Sequence, residues 1–339
     1  MDIPVPTLVG QSVVVEPDAV RILDRRVFPF ERTWITCTSY EDVAKAIEDM
    51  VTQSLGPLFA AIGGMTLAAR AADPLGPDGA RRLMGEASRR LVATRPTNNG
   101  IRDAVGALLD ASDAALRDGR PVGAAVEAAA RDLREDYLAR FRALGEHAAV
   151  LIPDGATVLT HCWAETYLTE TVAAVLRAGK RIDAICTETR PYLQGARLTA
   201  ESLAEMGVPT RLITDGAAAH LMSRGEVAVF VTGADRVTLD GCVVNKIGTL
   251  QIAVSAHAFG VPFVALVQAP DRQAPTAADV ELEDRDGREV LHTLGRRTAS
   301  ARVTGLYPAF DVTPPRFVSV VVTDRGRFAP TDVSAYYAS

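Results

Sequence analysis

Residues 156–190 read ATVLTHCWAETYLTETVAAVLRAGKRIDAICTETR, and this stretch decides the fold. Ala156–Thr160 is a short apolar run, Tyr167–Ala178 has the three- and four-residue spacing of a helix, and Arg181–Cys186 is a second apolar run. Apolar runs on either side of a helix make a βαβ unit, and continuous rather than alternating apolarity marks strands covered on both faces. The rhythm continues along the chain. Helical patterns at Leu198–Met206, Ala217–Ser223 and Thr249–Phe259 are interleaved with strand candidates at Thr210–Thr214, Val227–Thr232 and Pro262–Val267, and Phe317–Thr323 is a last β-branched run. The pattern predicts an α/β fold, with a Rossmann-like, doubly wound parallel sheet over residues 151–339.

Towards the N-terminus the pattern changes. Val13–Val15 and Trp34–Thr38 are short β-like runs, while Glu41–Met50 and the Ala-, Leu- and Met-rich Leu58–Ala72 read as helices. Between Gly79 and Ala149 lie three or four more helical patterns, broken at Thr94–Asn99 and Gly119–Val122. Residues 1–150 are therefore expected to form a mostly helical domain with short β segments. No repeat of 20–50 residues is visible.

Two domains suit a chain of 339 residues, long enough to bury a core without disulfides or metals. A net charge of −6 argues against a nucleic-acid partner, which demands a basic face. An anionic ligand must then be met by a few local cations or backbone N–H groups. Cys37, Cys162, Cys186 and Cys242 form no C-x-x-C pair, so neither structural zinc nor a disulfide framework is expected, and scattered thiols suit a reducing compartment. The N-terminus shows no secretory pattern and no apolar run spans a bilayer. A cytoplasmic protein is expected, with no membrane or nucleic-acid partner.

In doubly wound sheets ligands bind outside the carboxyl ends of the strands. The residues there are His161-Cys162-Trp163, Thr187-Glu188-Thr189-Arg190, Asp215-Gly216 and Gly233-Ala234-Asp235-Arg236. No G-x-G-x-x-G, Walker A or H-E-x-x-H sequence accompanies them, so no cofactor or metal is indicated. Cys162 precedes a helix starting near Ala164, whose N-terminus favours a thiolate; the alternative is a small buried hydrophobe. Asp235 is a candidate carboxylate or a turn residue. Arg190 offers a planar fork and Gln194 a neutral donor for phosphate and hydroxyls, unless Arg190 only pairs with Glu188. Gly195 permits close backbone approach to a ligand. Arg95, in Arg95-Pro96-Thr97-Asn98, is a cation at a helix break or part of a cap. Asn245 and Lys246, before a helix, are a polar orienter and an anion ligand, or a surface turn.

Together these segments are more specific than any one of them. Thr160-His161-Cys162, Glu188–Thr199, Gly233–Arg236, Asn245–Thr249 and Pro308–Pro314 occur in the order of one family. The chain resembles methylthioribose-1-phosphate isomerases, which group with ribose-1,5-bisphosphate isomerases and the regulatory subunits of the eukaryotic guanine-nucleotide exchange initiation factor. The resemblance extends to Ile22-Leu23-Asp24 and Asp42-Val43-Ala44. It implies a helical domain on a Rossmann-like domain, a homodimer, and conversion of an aldose 1-phosphate to a ketose 1-phosphate without cofactor. It also implies Cys162 and Asp235 as the acid–base pair, Arg95, Gln194 and Lys246 as phosphate ligands, and Asn245 as the sugar's orienter. We assign Cys162 to the carbon-bound proton and Asp235 to the oxygens; the reverse division and a hydride shift are the alternatives.

Two departures bear on substrate. The family's Arg-Gly-Ala-Pro-Ala-Ile-Gly becomes Gln53–Gly63, so its phosphate-binding arginine has no equivalent and Gln53 stands nearest. After the cysteine the family has small residues, and this chain has Trp163-Ala164-Glu165. The indole changes pocket shape, and Glu165 repels a nearby phosphate. The expectation is retained isomerase chemistry on an altered 1-substituted, 5-modified pentose, such as one from secondary metabolism. The rivals are an authentic methylthioribose-1-phosphate isomerase and a non-catalytic ligand-sensing subunit. A cysteine hydrolase is disfavoured, because His161 and Cys162 are strand neighbours pointing to opposite faces.

Overall fold

The computed structural model describes residues 3–96, 98–282 and 284–338, with Gly10 described through its backbone alone. Thr97, inside the helix break expected at Thr94–Asn99, lies outside the described residues. The chain divides into two compact units, Thr7–Ala139 and Met1–Pro6 with Arg140–Ser339. No helix among the described residues is long and apolar enough to cross a membrane.

The first unit opens with an antiparallel sheet of β1 (Val13–Val15), β2 (Val20–Leu23) and β3 (Trp34–Cys37). Helices α1 (Tyr40–Glu48), α2 (Gly56–Ala72), α3 (Gly76–Ala93) and α4 (Asn99–Arg117) follow, and α5 (Val122–Ala149) contains the division between the units. A capping box starts α1: Ser39 accepts from the Asp42 N–H while the Asp42 carboxylate accepts from the Ser39 N–H. Helix α2 is apolar on all sides and mostly buried, as a helix at the centre of a unit must be. Arg90 of α3 pairs with both Glu41 and Glu48 of α1, at 2.9 and 2.6 Å.

The second unit contains a seven-stranded sheet of β4 (Ala156–Thr160), β5 (Ile182–Thr187), β6 (Thr210–Ile213), β7 (Val229–Gly233), β10 (Phe263–Leu266), β16 (Val320–Thr323) and β17 (Gly326–Phe328). Their spatial order is β17-β16-β10-β7-β4-β5-β6, parallel except for the antiparallel edge strand β17. The parallel strands thus run outward from β4 through β5 to β6, and then from β7 through β10 to β16. The order reverses between β4 and β7, which makes the crevice beyond those two strands the topological switch point.

Successive strand residues feed two separate cores. Val158, Ala184, Val229, Val231 and Val264 pack on one face, with Leu168 and Val172 of α6 (Glu165–Arg177) and Leu203 of α7 (Ala200–Glu205). Leu159, Ile185, Phe230, Phe263 and Ala265 pack on the other, with Met222 of α8 (Ala218–Ser223) and Ile252 of α9 (Thr249–Ala258). Both faces are covered, so the expected doubly wound architecture holds.

The sequence pattern did not reveal the small sheets beside this one. β8 (Arg236–Val237), β9 (Val243–Lys246) and β15 (Phe310–Thr313) form one sheet. β11 (Asp284–Arg285) pairs with β14 (Tyr307–Pro308), and β12 (His292–Thr293) with β13 (Arg296–Arg297). Two-residue strands carry too little periodicity to be read from sequence.

Candidate active site

Cys162 follows β4 and Asp235 follows β7, the two strands flanking the switch point. The turn after β4 is held away from ordinary backbone geometry. Cys162 has φ +63° and Glu165 φ +43°, and after β5 Thr189 has φ +60° and Leu193 φ +66°. Non-glycine residues rarely adopt this region, and a β-branched threonine least readily, so neighbouring contacts must hold it. They do: the Cys162 N–H donates to Thr189 Oγ1 at 2.9 Å, and the Thr199 hydroxyl donates to the Cys162 carbonyl. Asp215 accepts from the Thr189 and Arg190 N–H groups, each at 2.7 Å.

Burial pushes the Cys162 thiol up to about 11. The Lys246 ammonium opposes this, Asp235 adds to it, and the Trp163 backbone N–H and the Arg285 guanidinium oppose it less. The sequence predicts a thiol depressed by the following helix; desolvation outweighs that effect, and α6 begins only at Glu165. Asp235 itself is exposed. A thiol of raised pKa on a half-buried cysteine, two cations and an exposed carboxylate therefore act on one another at one sheet edge.

His161 is buried and fully engaged. Its Nε2 donates to the Ile247 carbonyl at 3.0 Å, which leaves Nδ1 to accept from the Thr187 hydroxyl at 2.7 Å. Burial holds the imidazole below its usual pKa, against the pull of Asp215. With both nitrogens committed away from the sulfur, it is not a base for Cys162, as strand alternation anticipates.

Lys246, only 5% exposed, places its ammonium 4.1 Å from the centre of the Phe310 ring. Residues Asn245 and Lys246 pair with Asp311 and Phe310 across β9 and β15. The Asn245 side-chain amide donates to Thr249 Oγ1 at 2.9 Å, which in turn donates to the Lys246 carbonyl. Asp311 accepts from the Gly248 and Leu250 N–H groups at the start of α9, and burial raises its carboxyl to about 6. Gln194 is buried with its Oε1 unpartnered, and the indole Nε1 of Trp163 is likewise buried without a partner. Leaving such atoms unsatisfied costs about 1–3 kcal/mol each, a deficit that a bound polar ligand removes. Glu165 is buried in the first turn of α6.

Arg190 and Gly195 are both engaged by their own chain. Arg190 turns its guanidinium to the carbonyls of Val290 and His292, at 2.9 Å each, and anchors that loop; it forms no ion pair with Glu188 among the described residues. Gly195 does permit a close approach, but to its own chain: a Cβ there would lie 1.9 Å from the Thr187 carbonyl oxygen.

Gln53 and Arg95 belong to the first unit. The Gln53 amide nitrogen is buried without a partner, and its carbonyl accepts from Arg25, a wholly buried guanidinium that also donates to Ser12. Arg95 donates to the Ile47 carbonyl at 2.9 Å, and the neighbouring Asn98 caps α4 through the Ile101 N–H.

Sequence reasoning missed Arg285 and Tyr307, both of which interact electrostatically with Cys162. The one available signal was that Tyr307 immediately precedes the motif Pro308–Pro314.

Residues 58–330 match the sequence model of the initiation factor 2 subunit family. The chain is 39% identical over 320 residues to the methylthioribose-1-phosphate isomerase of Anaeromyxobacter dehalogenans, covering 91% of this chain and 90% of the relative. It is 40% identical over 319 residues to the isomerase of the same name from Alkalilimnicola ehrlichii, covering 91% of each. Among solved structures, 5-methylthioribose 1-phosphate isomerase from Pyrococcus horikoshii superimposes with a TM-score of 0.86 at 30% identity, covering 95% of this chain and 93% of that one. Subunit delta of translation initiation factor eIF-2B from A. fulgidus does so with 0.83 at 31% identity, covering 94% and 96%.

Proposed function

This chain belongs to the initiation factor 2 subunit family, and within it we propose an aldose–ketose isomerase of 5-methylthioribose 1-phosphate. A sugar-phosphate isomerase is the general activity, supported by the names of relatives that match along most of the chain. Those relatives favour the methylthioribose substrate over the altered pentose expected from Trp163 and Glu165. The observation that carries the reading is the pair Cys162 and Asp235 beyond the two strands of the switch point, with Lys246 buried beside the same thiol.

The reaction moves a proton from C2 to C1, opens the bond between C1 and the ring oxygen, and turns the C2 hydroxyl into the ketone. The bond from C1 to the ring oxygen breaks, and its electron pair stays on that oxygen, which takes a proton from the Asp235 carboxyl. The Cys162 thiolate removes the C2 proton, leaving a double bond between C1 and C2. The resulting thiol returns the proton to C1 while the C2 hydroxyl gives its own to Asp235, so C2 becomes the ketone and both side chains are restored. Separating the carbon and oxygen protons between two groups of different basicity suits this chemistry. Lys246, Gln194 and Arg95 are assigned to the phosphate, and Asn245 to the sugar. We also expect the protein to be a homodimer.

The test incubates wild type, Cys162→Ser and Asp235→Asn with 5-methylthioribose 1-phosphate and other ribose 1-phosphates in deuterated water. Turnover of the methylthio sugar and its loss in both variants are expected, with deuterium entering C1 only to the extent that the thiol exchanges with solvent before it returns the proton. A folded wild type that turns over none of them removes the isomerase. Preference for another sugar restores the altered-substrate reading. The likeness to the initiation-factor subunit gives a second reading as a sensor, whose mark is ligand-dependent melting without product.

A further inference from the structure

The loop region between Ala277 and Thr313 contributes a side chain to the site that neither motif nor spacing assigns. Tyr307 of β14 lies directly opposite Arg285 of β11 in an antiparallel ribbon. Residues so opposed bring their Cβ atoms within about 4.5–5.5 Å of each other. Three residues on, Phe310 lies opposite Lys246 and carries the lysine ammonium over its ring. The segment 307–310 therefore runs from one cation that acts on the Cys162 thiol to the other.

Tyr307 is 3% exposed, and its hydroxyl is buried with no hydrogen-bond partner in normal geometry. Burial raises the phenol above its usual pKa; the Arg285 guanidinium opposes this and can only donate to the phenolic oxygen, so the phenol's own O–H stays unused, while Glu289 and Cys162 add to the rise. A buried phenol normally finds a partner, because an unsatisfied O–H loses its hydration without return. The Cys162 sulfur is near enough to act electrostatically on this phenol. Gln194 and Trp163, whose buried polar atoms are also unpartnered, belong to the same unit.

We propose that Tyr307 is a further substrate-contacting residue, whose phenolic O–H donates to a sugar oxygen next to the carbon served by Cys162, with Arg285 holding the ring from across the ribbon. The oxygen that gains charge, the C2 oxygen as its hydroxyl gives up its proton or the ring oxygen as its bond to C1 breaks, is the acceptor that such a donor serves best, because the bond strengthens in the transition state. The inference rests on the isomerase reading above. It adds to that reading a donor on the thiol side of the site, distinct from the phosphate ligands.

Tyr307→Phe keeps the ring and removes only the donor. With 5-methylthioribose 1-phosphate it is expected to lower kcat by about 10–100-fold while KM moves less than threefold, the signature of a contact made in the transition state. Melting temperature must stay near that of wild type. Should it fall, Tyr307→His, which restores a ring N–H, must recover part of kcat. A kcat for Tyr307→Phe within threefold of wild type overturns the proposal while leaving the isomerase intact, as does a Tyr307→His no better than an unstable Tyr307→Phe. A wild type inactive on every ribose 1-phosphate overturns the isomerase reading and this inference with it.

Discussion

Lys246 and Arg95 are both cations assigned to the phosphate, yet the two units hold them differently. Lys246 is buried at the end of β9, its ammonium over an aromatic ring and its field on the Cys162 thiol. Arg95 sits at a helix end and donates to the Ile47 carbonyl. The same contrast separates Gln194, buried with an unpartnered oxygen, from Gln53, whose backbone is held by the buried Arg25. In the sheet unit, topology gathers candidates: every chain segment that leaves a parallel strand does so at the same edge. In the helical unit no such rule operates, and a cation at a helix break meets carbonyls of its own fold as readily as a ligand.

The largest effect expected belongs to the switch point. Cys162→Ser and Asp235→Asn should each lower kcat by ~10³-fold, the range of a lost acid or base. Burial holds the thiol near 11, so the thiolate that serves as base is a minor form at neutral pH, and it must act together with a protonated Asp235. Raising pH supplies thiolate but removes that carboxyl proton. The residual kcat/KM of Asp235→Asn, which has no such proton to lose, should therefore rise more steeply between pH 6 and 8 than that of wild type, and equal slopes sink this division of roles.

Next comes the comparison of cations itself. Lys246→Met should lower kcat/KM for a phosphorylated sugar by about 10–100-fold, as the loss of a charge-assisted hydrogen bond requires. Arg95→Gln should cost less, about 3–10-fold, with some of its effect appearing instead as a lower melting temperature, because a backbone carbonyl loses its donor. Were Arg95→Gln the more damaging of the two for catalysis at unchanged melting temperature, the contrast between the units would be broken.

Much of the fold was legible because its signal is physical and local. Strands covered on both faces must be apolar throughout, and β4, β5, β7 and β10 read as such to within two residues. Cys162 and Asp235 were legible as positions, since they follow such strands, and their neighbours supplied the resemblance. The state of the thiol was not legible, because desolvation depends on what packs around it and not on the residue that follows. The partners of Arg190 were not legible for a similar reason: the carbonyls it holds lie about a hundred residues further along the chain. Tyr307 and Arg285 escaped notice because a ribbon of two-residue strands has no period to detect.

The smallest effect tests how the sheet unit supports Lys246. Asp311 binds the Gly248 and Leu250 N–H groups and lies in register with Asn245, so it fixes the turn that carries the lysine. Burial raises its carboxyl from 3.8 to about 6. A folded-state pKa above the unfolded one means stability that is fully present below pH ~4 and lost as pH rises through about 6. Asp311→Asn cannot ionise and retains one acceptor oxygen. The variant should therefore melt below wild type at pH 4.5, and the gap should narrow by pH 7.5 as the wild-type carboxylate pays its desolvation. Thermal melts at the two pH values decide this, and a gap that is constant or widens with pH excludes the buried, raised carboxyl as the turn's support.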